Sequence, residues 1–301
     1  MPGQPLSEKE LNMTVPPLPA SIRHPLFLAA VLLTAAVAVG ADAALPCASQ
    51  QDGAGQFCSN GQLQLPFRQT VIGAELPGPY DMVLFLHGAG ERGTDNAQHL
   101  VFGYEPMVRY CVTNRVKAVL LFPQCPPRNQ WSSIRIPEID PPLTPEPTAP
   151  LAAAVGLLYS KIAEFQPRRV YAVGISMGGY GVWDLLLRYQ GLFSAGMAIC
   201  GGGDVTRAAC LTDIPLYVAH GSADILVPVA RSRSMVKAIW NAGGDKVTYQ
   251  EFPLVGHDVW NNVFAADATW EWLFKKQGKA PRMPNRFFPV PKILPWQSRL
   301  F

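Results

Sequence analysis

The chain has 301 residues, 49% of them hydrophobic and 16% charged, enough to fill the core of one α/β domain of roughly 200–250 residues with short extensions at its ends. The formal charge of +3 is unevenly spread, because Lys279, Arg282, Arg286, Lys292 and Arg299 sit in the last 23 residues without an acid. The rest is slightly acidic, which argues against an enzyme or binding module that grips nucleic acid.

Near the N-terminus, Arg23 and His24 precede the apolar run from Pro25 to Val39, and Ala41-Asp42-Ala43 offers small residues at the positions a signal peptidase reads. Residues 1–43 are therefore expected to be a cleaved signal peptide, with Met13 as an alternative start that shortens its polar lead-in. The apolar run is about 15 residues and a bilayer needs about 20, so no stable membrane span is expected after cleavage. Export to a periplasmic or extracellular space would place the chain in an oxidising compartment. Its six cysteines then suggest sequence-local disulfides 47–58, 111–125 and 200–210, against the alternative of free buried thiols.

Residues 44–277 are expected to form the folded domain. It opens with a polar, turn-rich stretch over 44–68, followed by Met82 to Leu86, a continuous apolar run typical of a strand buried on both faces. Similar runs recur at Ala118 to Phe122, Val170 to Gly174, Ala195 to Cys200 and Leu216 to Ala219, and Val247 to Phe252 is strand-like. Helical spacing of apolar residues marks Leu151 to Phe165, Gly179 to Tyr189, Val229 to Trp240 and Asn261 to Lys276. Strand alternating with helix implies the α/β class, a mostly parallel sheet with helices on both faces. Two segments stand apart: 123–150, an irregular excursion with nine prolines, and the basic, Pro-rich tail 278–301.

The chemical signal is Gly174-Ile175-Ser176-Met177-Gly178-Gly179, set between a strand and a helix. Such a turn lifts a serine hydroxyl above the sheet in a strained conformation, and glycines on either side keep a Cβ out of the neighbouring chain. A serine needs a base and an orienting acid to become a nucleophile. His257, in the turn Val255-Gly256-His257-Asp258 after the last strand, suits the base. His24 falls in the leader and His99 in a polar helical stretch, while His87 and His220 end buried strands, where structural histidines are common. Asp224, in His220-Gly221-Ser222-Ala223-Asp224, suits the acid, with Asp204 and Asp258 as rivals. The order Ser176, Asp224, His257 also differs from that of chymotrypsin-like and subtilisin-like enzymes. For a developing oxyanion, the Met177 N–H is one donor by position; Ala89 N–H, in His87-Gly88-Ala89-Gly90, is the preferred second, with Gly88 or Gly90 open to a small register shift.

With these residues in view the chain resembles the α/β-hydrolase superfamily, and within it the secreted esterases often labelled predicted peptidases, related to phospholipase/carboxylesterase, feruloyl-esterase-like and polyhydroxybutyrate-depolymerase-like groups. The resemblance spans roughly residues 65–276 and rests on Leu84 to Asn96, on Phe122-Pro123-Gln124-Cys125-Pro126 followed by Trp131, and on the serine and aspartate motifs above. It implies a cofactor-free serine hydrolase in which Ser176, Asp224 and His257 form the triad and Trp131 walls the acyl or alcohol site. For Trp131, packing beneath a loop is the competing reading. The expected substrate is a small-molecule or polymer-linked ester of short-chain acyl, acetyl or feruloyl type. A peptidase with the same triad, or a non-catalytic binding module on the same scaffold, is the alternative. No His-Glu-x-x-His, Cys-x-x-Cys or phosphate loop points to a metal or nucleotide, and Gly201-Gly202-Gly203-Asp204 lacks the lysine a phosphate cradle would use.

Overall fold

Side chains that alternate along a strand must be buried on two faces when the strand lies inside a sheet. In a computed structural model describing residues 48–59, 63–134, 142–275 and 280–281, they divide in this way: Met82, Leu84 and Leu86 enter one hydrophobic cluster, Val83 and Phe85 the other. The next strand repeats the division, with Val119 and Leu121 on the first side and Ala118, Leu120 and Phe122 on the second.

In chain order the elements are β1 (Gln50–Ser59), β2 (Leu63–Ile72), β3 (Asp81–Leu86), α1 (Tyr104–Thr113), β4 (Ala118–Pro123), α2 (Ala149–Phe165), β5 (Arg169–Ile175), α3 (Met177–Arg188), β6 (Ala195–Ile199), β7 (Leu216–Gly221), α4 (Ala230–Asn241), β8 (Val247–Phe252), α5 (Trp260–Ala265) and α6 (Asp267–Lys275). The eight strands form one sheet in the order β1-β2-β4-β3-β5-β6-β7-β8. The β1–β2 and β2–β4 pairs are antiparallel and the rest are parallel. Apolar residues of α2, α3 and α4 join the first cluster, and those of α1, α5 and α6 the second. Each face of the sheet is thus covered by its own helices.

Local signals set several boundaries. Thr148 caps α2 by accepting the Leu151 N–H, Pro150 occupies its first turn, and Gln166 closes it in a left-handed conformation. The predicted helix Asn261 to Lys276 is instead two helices, because Ala266 is extended (φ −88°, ψ 117°). The polar stretch expected over 44–68 contains β1 and most of β2. β1 is largely exposed and is held by its ladder to β2.

Two of the expected disulfides are not formed. Cys111 lies in the second cluster and Cys125 in the first, with the sheet between them, and both are free. Cys200 is buried in the second cluster and Cys210 is exposed in the 3-10 turn Val205–Leu211, whose buried residues pack on the first; these too are free. The 47–58 pairing, the signal peptide and nearly all of the tail lie outside the described residues. No helix among the described residues is long and apolar enough to cross a membrane.

The Pro-rich excursion is tied down at both described ends. Ser132 Oγ donates to Asp184 Oδ2 (2.9 Å), Arg188 donates to the carbonyls of Pro145 and Thr144 (2.8 Å each), and Leu143 N–H donates to Asp204 Oδ2 (3.0 Å). The segment therefore lies against α3, the helix that follows the candidate nucleophile.

Candidate active site

Ser176 follows β5 directly and has φ 52° and ψ −117°, a left-handed conformation that costs a non-glycine residue of order 1 kcal/mol or more. Its N–H donates to Ile199 O (2.8 Å), and Tyr180 N–H donates back to Ser176 O (3.1 Å), so β6 and the first turn of α3 hold it there. The flanking glycines have no steric freedom: a Cβ on Gly174 would stand 2.4 Å from Gly178 O, and one on Gly178 1.8 Å from Leu86 O.

Asp224 lies in the loop after β7 and His257 in the loop after β8, so both come to the same sheet edge as Ser176, at the C-terminal ends of parallel strands. His257 Nε2 is 2.8 Å from Ser176 Oγ, and His257 Nδ1 is 2.7 Å from Asp224 Oδ2. Asp224 Oδ1 accepts the N–H groups of Leu226 (2.9 Å) and Val227 (2.8 Å). Burial works to raise the Asp224 carboxyl, but the hydrogen bond from His257 and those two backbone donors outweigh it and hold the group below the usual aspartate value. An ionised carboxylate on Nδ1 fixes the tautomer that leaves Nε2 free to accept the serine proton. The Trp260 ring packs edge-on against the imidazole at 5.1 Å. The rival Asp204 is engaged elsewhere, accepting Thr206 N–H (3.0 Å) as the cap of its 3-10 turn as well as Leu143 N–H.

The loop after β3 lies beside the nucleophile: a Cβ on Gly88 would be 3.6 Å from Ser176 Cβ. Ala89 opens a 3-10 turn, Ala89–Glu91, and its carbonyl accepts Arg92 Nε–H (2.8 Å). His87 secures the loop from below. Its Nδ1 donates to Gly88 O (2.6 Å) and its Nε2 accepts Cys125 N–H (2.9 Å), the pattern of a neutral ring, and burial pushes its pKa down to about 3. Trp131 is wholly buried, with its indole N–H on His87 O (3.1 Å). It sits beneath the loop as a brace, in the position of the packing reading.

No protein-family model and no curated protein sequence matches the chain. Solved structures do. A thermostable esterase is 34% identical, with a TM-score of 0.68, over 75% of this chain and 63% of its own. This chain therefore spans less than two thirds of that esterase. A ferulic acid esterase (17% identity, TM-score 0.56, 75% of this chain and 97% of its own) and an S-formylglutathione hydrolase from Agrobacterium tumefaciens (16%, 0.55, 77% and 96%) share the fold. The fold of the chain is that of the α/β-hydrolases.

Within this α/β-hydrolase fold, sequence reasoning missed several residues around the site. Arg92 also reaches Asn129 O (3.3 Å), and Gln124 binds Asp95 Oδ1 (2.7 Å) and Asn96 N–H (2.8 Å), so the segment after the Ala89 turn is tied to the strand end of β4. A Cβ on Gly88 would also stand 2.8 Å from Glu91 Oε2, and burial raises the Glu91 carboxyl. Among the described residues, one set of side chains has ligand atoms close enough for a metal ion, Cys200, His220 and Asp224, within 4.8 Å of one another. Asp224 is already saturated by donors and burial pushes the Cys200 thiol well up, so the set is poorly suited to a cation. His220, the remaining member, was read in sequence as structural. The signal that marks it is its place four residues before the acid.

Proposed function

We propose that the protein is a serine hydrolase that cleaves carboxylic esters through an acyl-enzyme. The observation that carries this reading is the continuous hydrogen-bonded chain from Ser176 Oγ through His257 to Asp224. As the Ser176 oxygen bonds to the ester carbon, its proton passes to His257 Nε2 and the carbonyl electron pair moves onto oxygen. The N–H groups of Met177 and Ala89 stabilise that charge. Collapse breaks the bond to the alcohol, which leaves with the proton from His257. Water, deprotonated by the same nitrogen, then releases the acid and returns the proton to serine.

Substrates of short-chain acyl, acetyl or feruloyl type, free or linked to a polymer, fit this reading, and esterases among the similar structures support it. Ile225 and Leu254, 92% and 90% exposed, stand next to Asp224 and three residues before His257; they offer an apolar rim to such groups. Trp131 acts on substrate indirectly, through the loop it braces. Export through residues 1–43 remains part of the proposal.

The test is a matched panel on purified protein. A fluorophosphonate should label Ser176, and Ser176→Ala should abolish labelling and cleavage of p-nitrophenyl acetate without lowering the melting temperature. Ester turnover should exceed that of matched p-nitroanilides at least about a hundredfold, roughly 2.7 kcal/mol of transition-state discrimination. Anilide or peptide turnover equal to ester turnover would transfer the case to a peptidase.

A further inference from the structure

Asp224 is flanked by two imidazoles. Its Oδ2, which accepts from His257, is also 3.2 Å from Nε2 of His220. The His220 ring has no exposed surface and is fixed at both nitrogens, Nε2 2.9 Å from Val227 O and Nδ1 2.7 Å from Ser232 Oγ, which also reaches Gly201 O at 3.0 Å. Proton bookkeeping places a hydrogen on Nε2, because the Val227 carbonyl and the ionised Asp224 carboxylate only accept. On the other side of the ring, Nδ1 and Gly201 O compete for the one proton of the Ser232 hydroxyl. Burial lowers the basicity of this histidine, consistent with a neutral ring.

We propose that His220 is a positioning residue for the acid of the triad: its Nε2–H, shared between Val227 O and Asp224 Oδ2, holds the carboxylate in register and draws electron density from the oxygen that orients His257. The inference rests on the triad reading above. Two donors on one carboxylate oxygen leave it a weaker base than one would. Removing the His220 donor makes Asp224 Oδ2 more basic, so the neighbouring His257 imidazole holds a proton more tightly. The neutral base that Ser176 requires then persists only at higher pH.

Other groups facing the pair are accounted for. The Cys200 thiol, from the end of β6, is pushed up by burial and stays uncharged. Glu251, on β8, is held low by Arg233 and stays ionised. Glu91, within electrostatic reach of His257, is raised by burial, but it is common to every variant compared. Asp258, whose field reaches Cys200, is likewise unchanged among the variants.

The experiment is the pH profile of kcat/KM for p-nitrophenyl acetate in wild type, His220→Phe and His220→Gln, with thermal melts as a check on folding. In His220→Phe the acid limb should move up by about half to one pH unit and kcat should fall about tenfold, with KM changed less than about threefold, since His220 does not touch substrate. His220→Gln, whose side-chain N–H stands near the place of Nε2–H, should bring the limb back. A folded His220→Phe with an unmoved limb overturns the proposal, as does an equal displacement in both variants, the mark of a merely structural histidine. If His220→Phe does not fold, Ser232→Ala, which releases the other end of the ring, should move the limb in the same direction, and an unmoved limb there is equally fatal. A wild type without ester turnover would overturn the hydrolase reading itself, whereas an active wild type indifferent to His220 overturns this inference alone.

Discussion

Gly178, the second residue of α3, is where the sheet, the elbow and the candidate oxyanion loop meet most closely. A methyl group there would lie 1.8 Å from Leu86 O, 2.5 Å from Leu86 C and 2.8 Å from His87 O. All three are backbone atoms, and none can rotate away. In Gly178→Ala, β3 and α3 must therefore move apart by more than an ångström. Overpacking of this kind costs typically 1–3 kcal/mol and occasionally more, and with only main chain to yield we place it near the upper end, about 3 kcal/mol. For a domain of this size that is a fall in melting temperature of roughly 6–12 °C. The displaced strand end carries His87, Gly88 and Ala89 with it, and a misplacement of about 1 Å can cost about a hundredfold in rate. Gly90→Ala is the control, since a Cβ there has no atom within 4 Å. Its melting temperature should stay within about 4 °C of wild type, the effect of an unstrained glycine replacement. Circular-dichroism melts and p-nitrophenyl acetate turnover read both quantities. Gly178→Ala melting with wild type, or Gly90→Ala melting as low as Gly178→Ala, would refute the steric account.

Asp224→Asn should lower kcat by about three to four orders of magnitude through loss of the ionised acceptor on His257 Nδ1, whereas Asp258→Asn should change it less than about threefold; steady-state kinetics ranks them, and the reverse order would move the acid to the other loop. Acid should weaken the fold through His87: the unfolded chain takes up its proton near pH 6.5 and the folded chain only near pH 3, so the contribution of the neutral ring is whole above pH 6.5 and is lost as pH falls between those values, at about 1.4 kcal/mol per unit. Urea titrations at pH 6 and 4.5 should show a steeper loss in wild type than in His87→Asn, and equal slopes would contradict this. Alkylation should modify Cys210 in the native protein and Cys111, Cys125 and Cys200 only after unfolding; a non-reduced tryptic map joining 111 to 125 or 200 to 210 would contradict this placement of the cysteines.

The parallel sheet was legible because burial on both faces writes itself into the sequence as unbroken apolar runs. Met82 to Leu86 and Ala118 to Phe122 are such runs, and their observed strands exceed them by one residue each. β1 left no comparable trace. Its residues Gln50, Gln51, Asp52, Gly53 and Gly55 bury little, and its strand state comes from backbone pairing with β2, which a side-chain pattern cannot encode. α1 was missed for a related reason: only Met107, Val108, Tyr110 and Cys111 face the core, and Gly103 sets its start by a left-handed turn (φ 80°) without a side-chain cap. The disulfide expectation failed on topology, for closeness in sequence says nothing about which side of a sheet a residue will occupy.

The site divides along the same line. Ser176, Asp224 and His257 could be singled out as candidates because each sits just past a strand end, and the order of strands in the sheet then carries the three to one edge. What sequence withheld is the layer behind them, whose members are joined by contacts distant in the chain. Trp131 reaches back 44 residues to His87 O, Cys125 N–H reaches 38 residues to His87 Nε2, and Ser132 reaches 52 residues to Asp184. None of these partners has a fixed spacing, so no motif announces them. Their effect is directional all the same. Trp131 and Cys125 converge on His87, the residue before Gly88 and Ala89, and the Pro-rich segment converges on α3 through Asp184 and Arg188. The two supports meet on either side of Ser176. The left-handed conformation at Ser176, unfavourable by itself, is thus held between a braced loop and a braced helix, which explains how one strained residue can persist at the C-terminal edge of an otherwise regular parallel sheet.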